Sequence, residues 1–170
     1  MRLKRAPIMA WVAVLPLASL LTACLPVEET SPTSAPPAGI VGDTAIVMQV
    51  IDGDTIDVRI GGDTYRVRYI GVNTPEYNQP CYAEATQANA ALVQGQTVTL
   101  VKDVSETDPY ERLLRYIYVG DLFVNAELVA EGYAESVRYP PDTAYATFFD
   151  TLEADARRAG LGCHPTGVFR

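Results

Sequence analysis

Between Val50 and Glu76 the chain reads VIDGDTIDVRIGGDTYRVRYIGVNTPE, and four of its side chains suit a single task. Asp54, Asn73 and Glu76 offer oxygen donors, which a hard divalent cation prefers. Arg68 offers a planar guanidinium fork that matches two phosphoryl oxygens at once. Together they are the raw material of a metal-plus-phosphate site. Taken singly, each has a plainer reading. Asp52-Gly53-Asp54 is a good hairpin turn, Arg68 and Arg112 suit strand edges, and Glu76 could cap a following helix. An EF-hand loop laid on Asp52 to Asp63 fails, because its fifth position is Ile56 and its sixth is Asp57 where glycine is required. The joint occurrence of these residues carries the functional reading.

Strands and turns must hold them. Thr44 to Ile51 and Thr55 to Ile60 are β-rich runs separated by Asp52-Gly53-Asp54. Gly61-Gly62-Asp63 turns the chain into Thr64 to Val72, where Tyr65, Val67 and Tyr69 alternate with Arg66, Arg68 and Ile70. Pro75 ends this ladder, since it has no N–H to donate. A helix is expected over Glu84 to Gln94, stopped by Gly95, followed by strands at Thr97 to Lys102, Leu113 to Val119 and Leu122 to Val124. A second helix is expected over Asn125 to Glu131 with Asn125 as its N-cap and Gly132 beyond its end. The last, Thr143 to Ala159, is amphipathic through Tyr145, Phe148, Phe149, Leu152 and Ala156 and ends at Gly160. About five strands, an interposed helix and a closing helix predict an α+β fold of the OB type, a five-stranded β-barrel with three helices. Most of the ten tyrosines fall at strand or helix positions and read as core or rim.

The start of the chain is of another kind. Arg2, Lys4 and Arg5 precede an apolar run from Pro7 to Leu21, the pattern of a secretory signal. Leu21-Thr22-Ala23-Cys24 resembles the lipobox of bacterial lipoproteins, so 1–23 reads as a signal peptide and Cys24 as the lipidation site. Residues 24–40 are rich in Pro, Ser, Thr and Ala and read as a tether, 41–165 as the folded domain and 166–170 as a tail. The expected location is extracytoplasmic, on a bacterial cell membrane or envelope through the lipid. With Cys24 acylated, Cys81 and Cys163 remain, and an oxidising compartment favours a disulfide between them. That bridge would contribute about 4 kcal/mol by restricting the unfolded chain. Loss of the first segment takes the net charge from −8 to −11. Steering and non-specific affinity for nucleic acid rest on positive charge, so this balance disfavours tight non-specific binding but leaves room for a local site built on a cation and a few arginines.

From about Met48 to Gly160 the chain resembles the staphylococcal nuclease family. The matching pieces are VIDGDT at 50–55, RVRYIGVNTPE at 66–76, TDPYERLLRYIY at 107–118 and FVNAELVAEGYA at 123–134, in the family's order. The resemblance implies an OB-type barrel and a Ca²⁺-dependent endonuclease that hydrolyses DNA and RNA with little sequence preference and leaves 3′-phosphates. It implies metal ligation by the Asp54 carboxylate, by the Thr74 carbonyl and by Asn73, which stands where the family's best-known member has an aspartate. It implies that Glu76 activates water, and that Arg68 and Arg112 clamp the phosphate and stabilise its developing charge. Tyr110 matches in the segment before Arg112, whereas the family's nucleotide-flanking loop aligns poorly around Val137 to Pro140, where Tyr139 is the expected second stacking face. The expected partners are single-stranded DNA or RNA and, through the lipid, a membrane, with the protein a monomer.

Asn73 removes one formal charge from the metal site. Glu111 and Pro109 stand where the family has glycine and lysine, lowering the positive charge beside Arg112; Glu111 is positioned to pair with an arginine. These departures sustain an alternative, a nucleic-acid- or protein-binding OB module without strong catalysis.

Overall fold

The structure, a computed structural model, describes residues 41–169. The signal segment and the whole of the tether, with Cys24 at its start, lie outside the described residues. Alternation drives the first three strands. In β1 (Asp43–Val50) Ala45 and Val47 are buried while Ile46 and Met48 are exposed, and β2 (Thr55–Ile60) and β3 (Asp63–Tyr69) turn Ile56, Val58, Val67 and Tyr69 into the same interior. β1 pairs antiparallel with β2 and with β5 (Thr97–Val101), and β2 pairs antiparallel with β3. β6 (Leu113–Val119) pairs antiparallel with β5 and parallel with β3, which closes a five-stranded barrel. β7 (Leu122–Phe123) extends β6 as a hairpin. Closure leaves no long unpaired edge among these five strands.

Three helices cover the barrel: α1 (Tyr82–Val93), α2 (Val124–Ala130) and α3 (Ala146–Ala159). β6 is buried on both faces, and Tyr116 packs edge-on against Tyr145 at 4.8 Å while Tyr118 stacks on Phe123 at 4.5 Å. Tyr69, Tyr116 and Tyr118 are among the largest fully buried side chains, so the expected core role of most tyrosines holds for them.

The first helix starts two residues before its expected Glu84 and several ends shift by one residue, and three further boundaries differ for a local reason. The third strand stops at Tyr69, because Gly71 has φ 76° and lies where a Cβ would meet the Phe149 ring at 2.8 Å. The chain then leaves the barrel, and β4 (Val72–Asn73) pairs with β8 (Glu135–Ser136). Asn125 is no cap. α2 starts at Val124, and the fully buried Asn125 side chain accepts from the Ile117 N–H at 2.9 Å and donates to the Ile70 carbonyl at 3.0 Å, joining β6 to the segment leaving β3. α3 starts at Ala146 rather than Thr143, since the Ala144 N–H is used on Asp103 and Asp142 turns its carboxylate to the Val104 and Ser105 amides. Cys81 and Cys163 form the expected disulfide.

Candidate active site

Asp54 sits at the end of the turn between β1 and β2 and is 5% exposed. Its Oδ2 accepts from the Thr74 N–H at 2.8 Å and the Thr74 hydroxyl at 3.1 Å, and Arg68 Nη1 lies 3.1 Å away. Oδ1 accepts from the Thr55 hydroxyl at 3.1 Å. Gly53 permits this approach, for a Cβ there would stand 2.6 Å from the Thr74 hydroxyl. Burial pushes the Asp54 carboxyl up to about 6; Arg68 opposes the shift, the neighbouring Asp52 adds to it, and the Thr74 donors oppose it. Negative charge is therefore held where water solvates it poorly, a position that a cation relieves.

Arg68, pairing across β3 with Thr55, is fixed from several sides. Its Nη1 donates to the carbonyls of Tyr69 at 3.0 Å and Val72 at 2.9 Å, and Nη2 donates to Asn73 Oδ1 at 3.1 Å. Asn73 passes the chain of contacts on, its Nδ2 donating to Glu135 Oε1 at 3.1 Å. The amide thus bridges the arginine and an acid.

The second wall is the turn before β6, the strand that runs parallel beside β3. The Asp108 N–H donates to the Arg112 carbonyl at 3.0 Å, and Asp108 Oδ1 accepts from the Tyr110 and Arg112 amides at 2.9 and 3.0 Å. Asp108 Oδ2 accepts from Arg112 Nε at 2.6 Å, and the guanidinium lies 5.6 Å from the centre of the Tyr110 ring. Burial would raise the Asp108 carboxyl, but the donors from Arg112 and Tyr110 outweigh it and hold it below the usual range. The acid that meets Arg112 is Asp108, not Glu111. Glu111 instead holds φ at 64°, a left-handed conformation that glycine adopts freely and other residues resist.

Both walls line one open cleft of about 500 Å³, which takes in Asp52, Asp54, Arg68, Asn73 and Glu76 from the first and Asp108, Tyr110 and Arg112 from the second. Glu76 is exposed, and its N–H donates to Gln79 Oε1 at 2.7 Å. Tyr139 also lines the cleft, 58% exposed, and Tyr110 is 80% exposed. The expected site residues therefore converge, except that Thr74 stands behind Asp54 rather than at the lining. Every carboxyl, amide or hydroxyl group named here offers oxygen, and the cleft lining contains no His or Cys. Among the described residues no three His, Cys, Asp or Glu side chains gather as a metal cage.

The model of the family described as "Staphylococcal nuclease homologue" matches residues 66–163. The chain belongs to the staphylococcal nuclease family. It is 35% identical over 126 residues to the "Thermonuclease" of Staphylococcus intermedius, covering 71% of this chain and 75% of that protein. It is 35% identical over 118 residues to the "Thermonuclease" of Staphylococcus hyicus, covering 66% and 70%. The "Micrococcal nuclease" of Shigella flexneri is 34% identical over 125 residues, covering 68% and 70%. Like other members of the staphylococcal nuclease family, the chain is a phosphodiester-hydrolysing nuclease on an OB-type barrel.

Three residues that support the site carry little signal in sequence. Asp108 organises the whole 108–112 turn. The buried Asn89 of α1 accepts from the Tyr69 hydroxyl at 2.9 Å and donates to the Asp52 carbonyl at 2.9 Å, so α1 fixes the turn that bears Asp54. Asp142 anchors the 104–105 segment. Each is an ordinary polar residue until the fold brings its partners near; a buried asparagine in an Ala-rich helix is the one available cue.

Proposed function

We propose that the protein is a calcium-dependent, sequence-non-specific endonuclease that hydrolyses single-stranded DNA and RNA and leaves 3′-phosphates. The observation that carries this reading is the presence of Arg68 and Arg112 on the lining of one cleft, with Asp54 beside the first and Glu76 on the same lining. A phosphodiester anion seated between two guanidinium groups gains most where negative charge builds, at the phosphoryl oxygens of the transition state.

The donor set fits a hard cation. Asp54 and Asp52 would supply carboxylate oxygens and Asn73 an amide, all of the kind Ca²⁺ takes; the Thr74 carbonyl would have to reach the ion from behind Asp54. When bound, calcium supplies charge neutralisation at the scissile phosphate. The protein's own groups divide the rest. Arg68 is held by two backbone carbonyls, so its orientation costs little at the moment of reaction. Arg112 spends Nε on Asp108 and keeps its terminal nitrogens for phosphate. Glu76 takes the proton of the attacking water as its oxygen bonds to phosphorus, the bond to the 5′-oxygen breaks in line, and the leaving oxygen takes a proton from solvent to become the 5′-hydroxyl. Tyr110 and Tyr139 offer faces to an unpaired base.

Digestion of single-stranded DNA by the purified full chain tests this. Cleavage should require millimolar Ca²⁺, cease with chelator, and fall at least 10²-fold in Glu76→Ala and Arg68→Ala. No cleavage at any Ca²⁺ concentration would defeat the reading. We further propose that Cys24 carries a lipid that holds the nuclease on the bacterial envelope, supported by the sequence of 1–24 and by a disulfide suited to an oxidising compartment. Metabolic labelling with a fatty-acid analogue should mark the wild-type protein, and equal labelling of Cys24→Ala would refute the anchor.

A further inference from the structure

Glu76 stands on a weakly held piece of chain. From Glu76 to Pro80 every residue is exposed, Tyr77 at 74%, and no strand or helix includes them. The bonds of this segment are its own: the Glu76 N–H to the Gln79 side chain, the Gln79 N–H to the Glu76 carbonyl at 2.9 Å and the Tyr82 N–H to the Gln79 carbonyl at 3.4 Å. Apart from an edge-on contact of the Tyr77 ring with Tyr82 at the start of α1, 5.6 Å between centres, what fixes it to the body lies at its ends. Upstream, Thr74 is tied to Asp54 by its N–H and hydroxyl. Downstream, Cys81 is joined to Cys163, which is fully buried and whose N–H donates to the Gly132 carbonyl at 2.9 Å.

The disulfide is not what holds α1 in place. Ala85, Asn89 and Val93 are buried, and Asn89 is bonded to Tyr69 and Asp52. Loss of the bridge therefore leaves the helix anchored further along and releases its entry. Asn78 and Cys81 hold φ at 74° and 70°, conformations that a released chain would leave.

We propose that the Cys81–Cys163 disulfide is a positioning element of the nuclease: it fixes the downstream end of the 76–80 segment and so holds the Glu76 carboxylate at the cleft. The inference rests on the reading of Glu76 as the group that activates water. Misplacement of a reacting group by about an ångström costs roughly 10²-fold in rate, so removal of the tether should lower kcat and leave KM nearly unchanged.

The test is a double-mutant cycle on the full chain, comparing wild type, Cys81→Ser/Cys163→Ser, Glu76→Gln and the triple variant, with hydrogen exchange measured on the first two. The serine pair should lose roughly 10–10²-fold in kcat in the wild-type background and less than about twofold in the Glu76→Gln background. Exchange should quicken at 76–82 and stay unchanged in β2, β3 and β6. An equal loss of kcat in both backgrounds, or faster exchange spread through the barrel strands, would show that the bridge acts only on stability and overturn the proposal. Should the wild-type chain cleave nothing, the functional reading fails while exchange confined to 76–82 still decides whether the bridge tethers that segment.

Discussion

The two walls of the cleft carry the same chemical group in opposite settings. Arg68 has a side chain 12% exposed, with its guanidinium fixed by two carbonyls, an amide and a buried carboxylate. Arg112 has one 29% exposed, held by a carboxylate four residues earlier in its own turn and by an exposed ring. On the first wall the contacts that place the arginine also satisfy backbone groups where β3 leaves the barrel. On the second they close a local turn. The same cation is part of the fold at one position and is mounted on the fold at the other.

That contrast is broken or sharpened most strongly by truncating each arginine. Arg68→Ala should reduce cleavage about 10²- to 10³-fold and cost about 3 kcal/mol of stability, because it strands a buried carboxylate and two carbonyls. Arg112→Ala should reduce cleavage comparably and change stability by about 1 kcal/mol or less, as partly exposed pairs do. Initial rates and urea midpoints measured together decide it; equal stability losses would erase the distinction.

A smaller effect lies at the footing of the exposed wall. Asp142 is buried, which would raise its carboxyl, but the Ser105 hydroxyl and the Ser105 and Val104 amides donate to the ionised form and bring it below the ordinary range. A carboxyl lowered on folding contributes stability that is present above the unfolded aspartate value of about 3.9 and is lost as pH falls through the folded value. Asp142→Ala should therefore cost about 1–3 kcal/mol at pH 7. Its urea midpoint and that of wild type should converge as the pH is taken below the aspartate range. A gap independent of pH would assign the effect to packing.

Smallest is Glu111→Gly. It relieves a left-handed residue at a cost of about 1–2 kcal/mol, offset in part by glycine's greater unfolded-state freedom, for a net gain of about 1 kcal/mol or less. Removing an acid beside Arg112 should also lower KM for single-stranded DNA. An unchanged KM would indicate that Glu111 lies outside the path of the substrate.

The barrel was legible because its signals are periodic and redundant: alternation in β1 to β3, two Gly-bearing turns and an amphipathic α3 all specify the same closure. The gathering of Asp54, Arg68, Glu76 and Arg112 about one cleft was legible through motif order. What the chain concealed was polar chemistry acting at a distance. Asn125 has the composition of a helix cap, yet it is consumed by backbone groups of Ile70 and Ile117, which no local window brings together. Asp108 looks like any turn aspartate, and Glu111, nearer to Arg112 in sequence, looked the better partner for it. Its left-handed backbone leaves the bond to the residue four positions back.

The central claim, that an exposed wall closes a phosphate site whose other wall is built into the fold, is tested most directly by thermal shift. Wild type and Arg112→Ala are compared with Ca²⁺ and a nucleoside 3′,5′-bisphosphate, alone and together. Wild type should gain several degrees only when both are present, since a ligand that binds the folded state alone raises its stability by mass action. Arg112→Ala should melt within about 4 °C of wild type without ligand and gain nothing with it. A full ligand-induced shift in Arg112→Ala, or a marked drop in its unliganded melting temperature, would contradict the account.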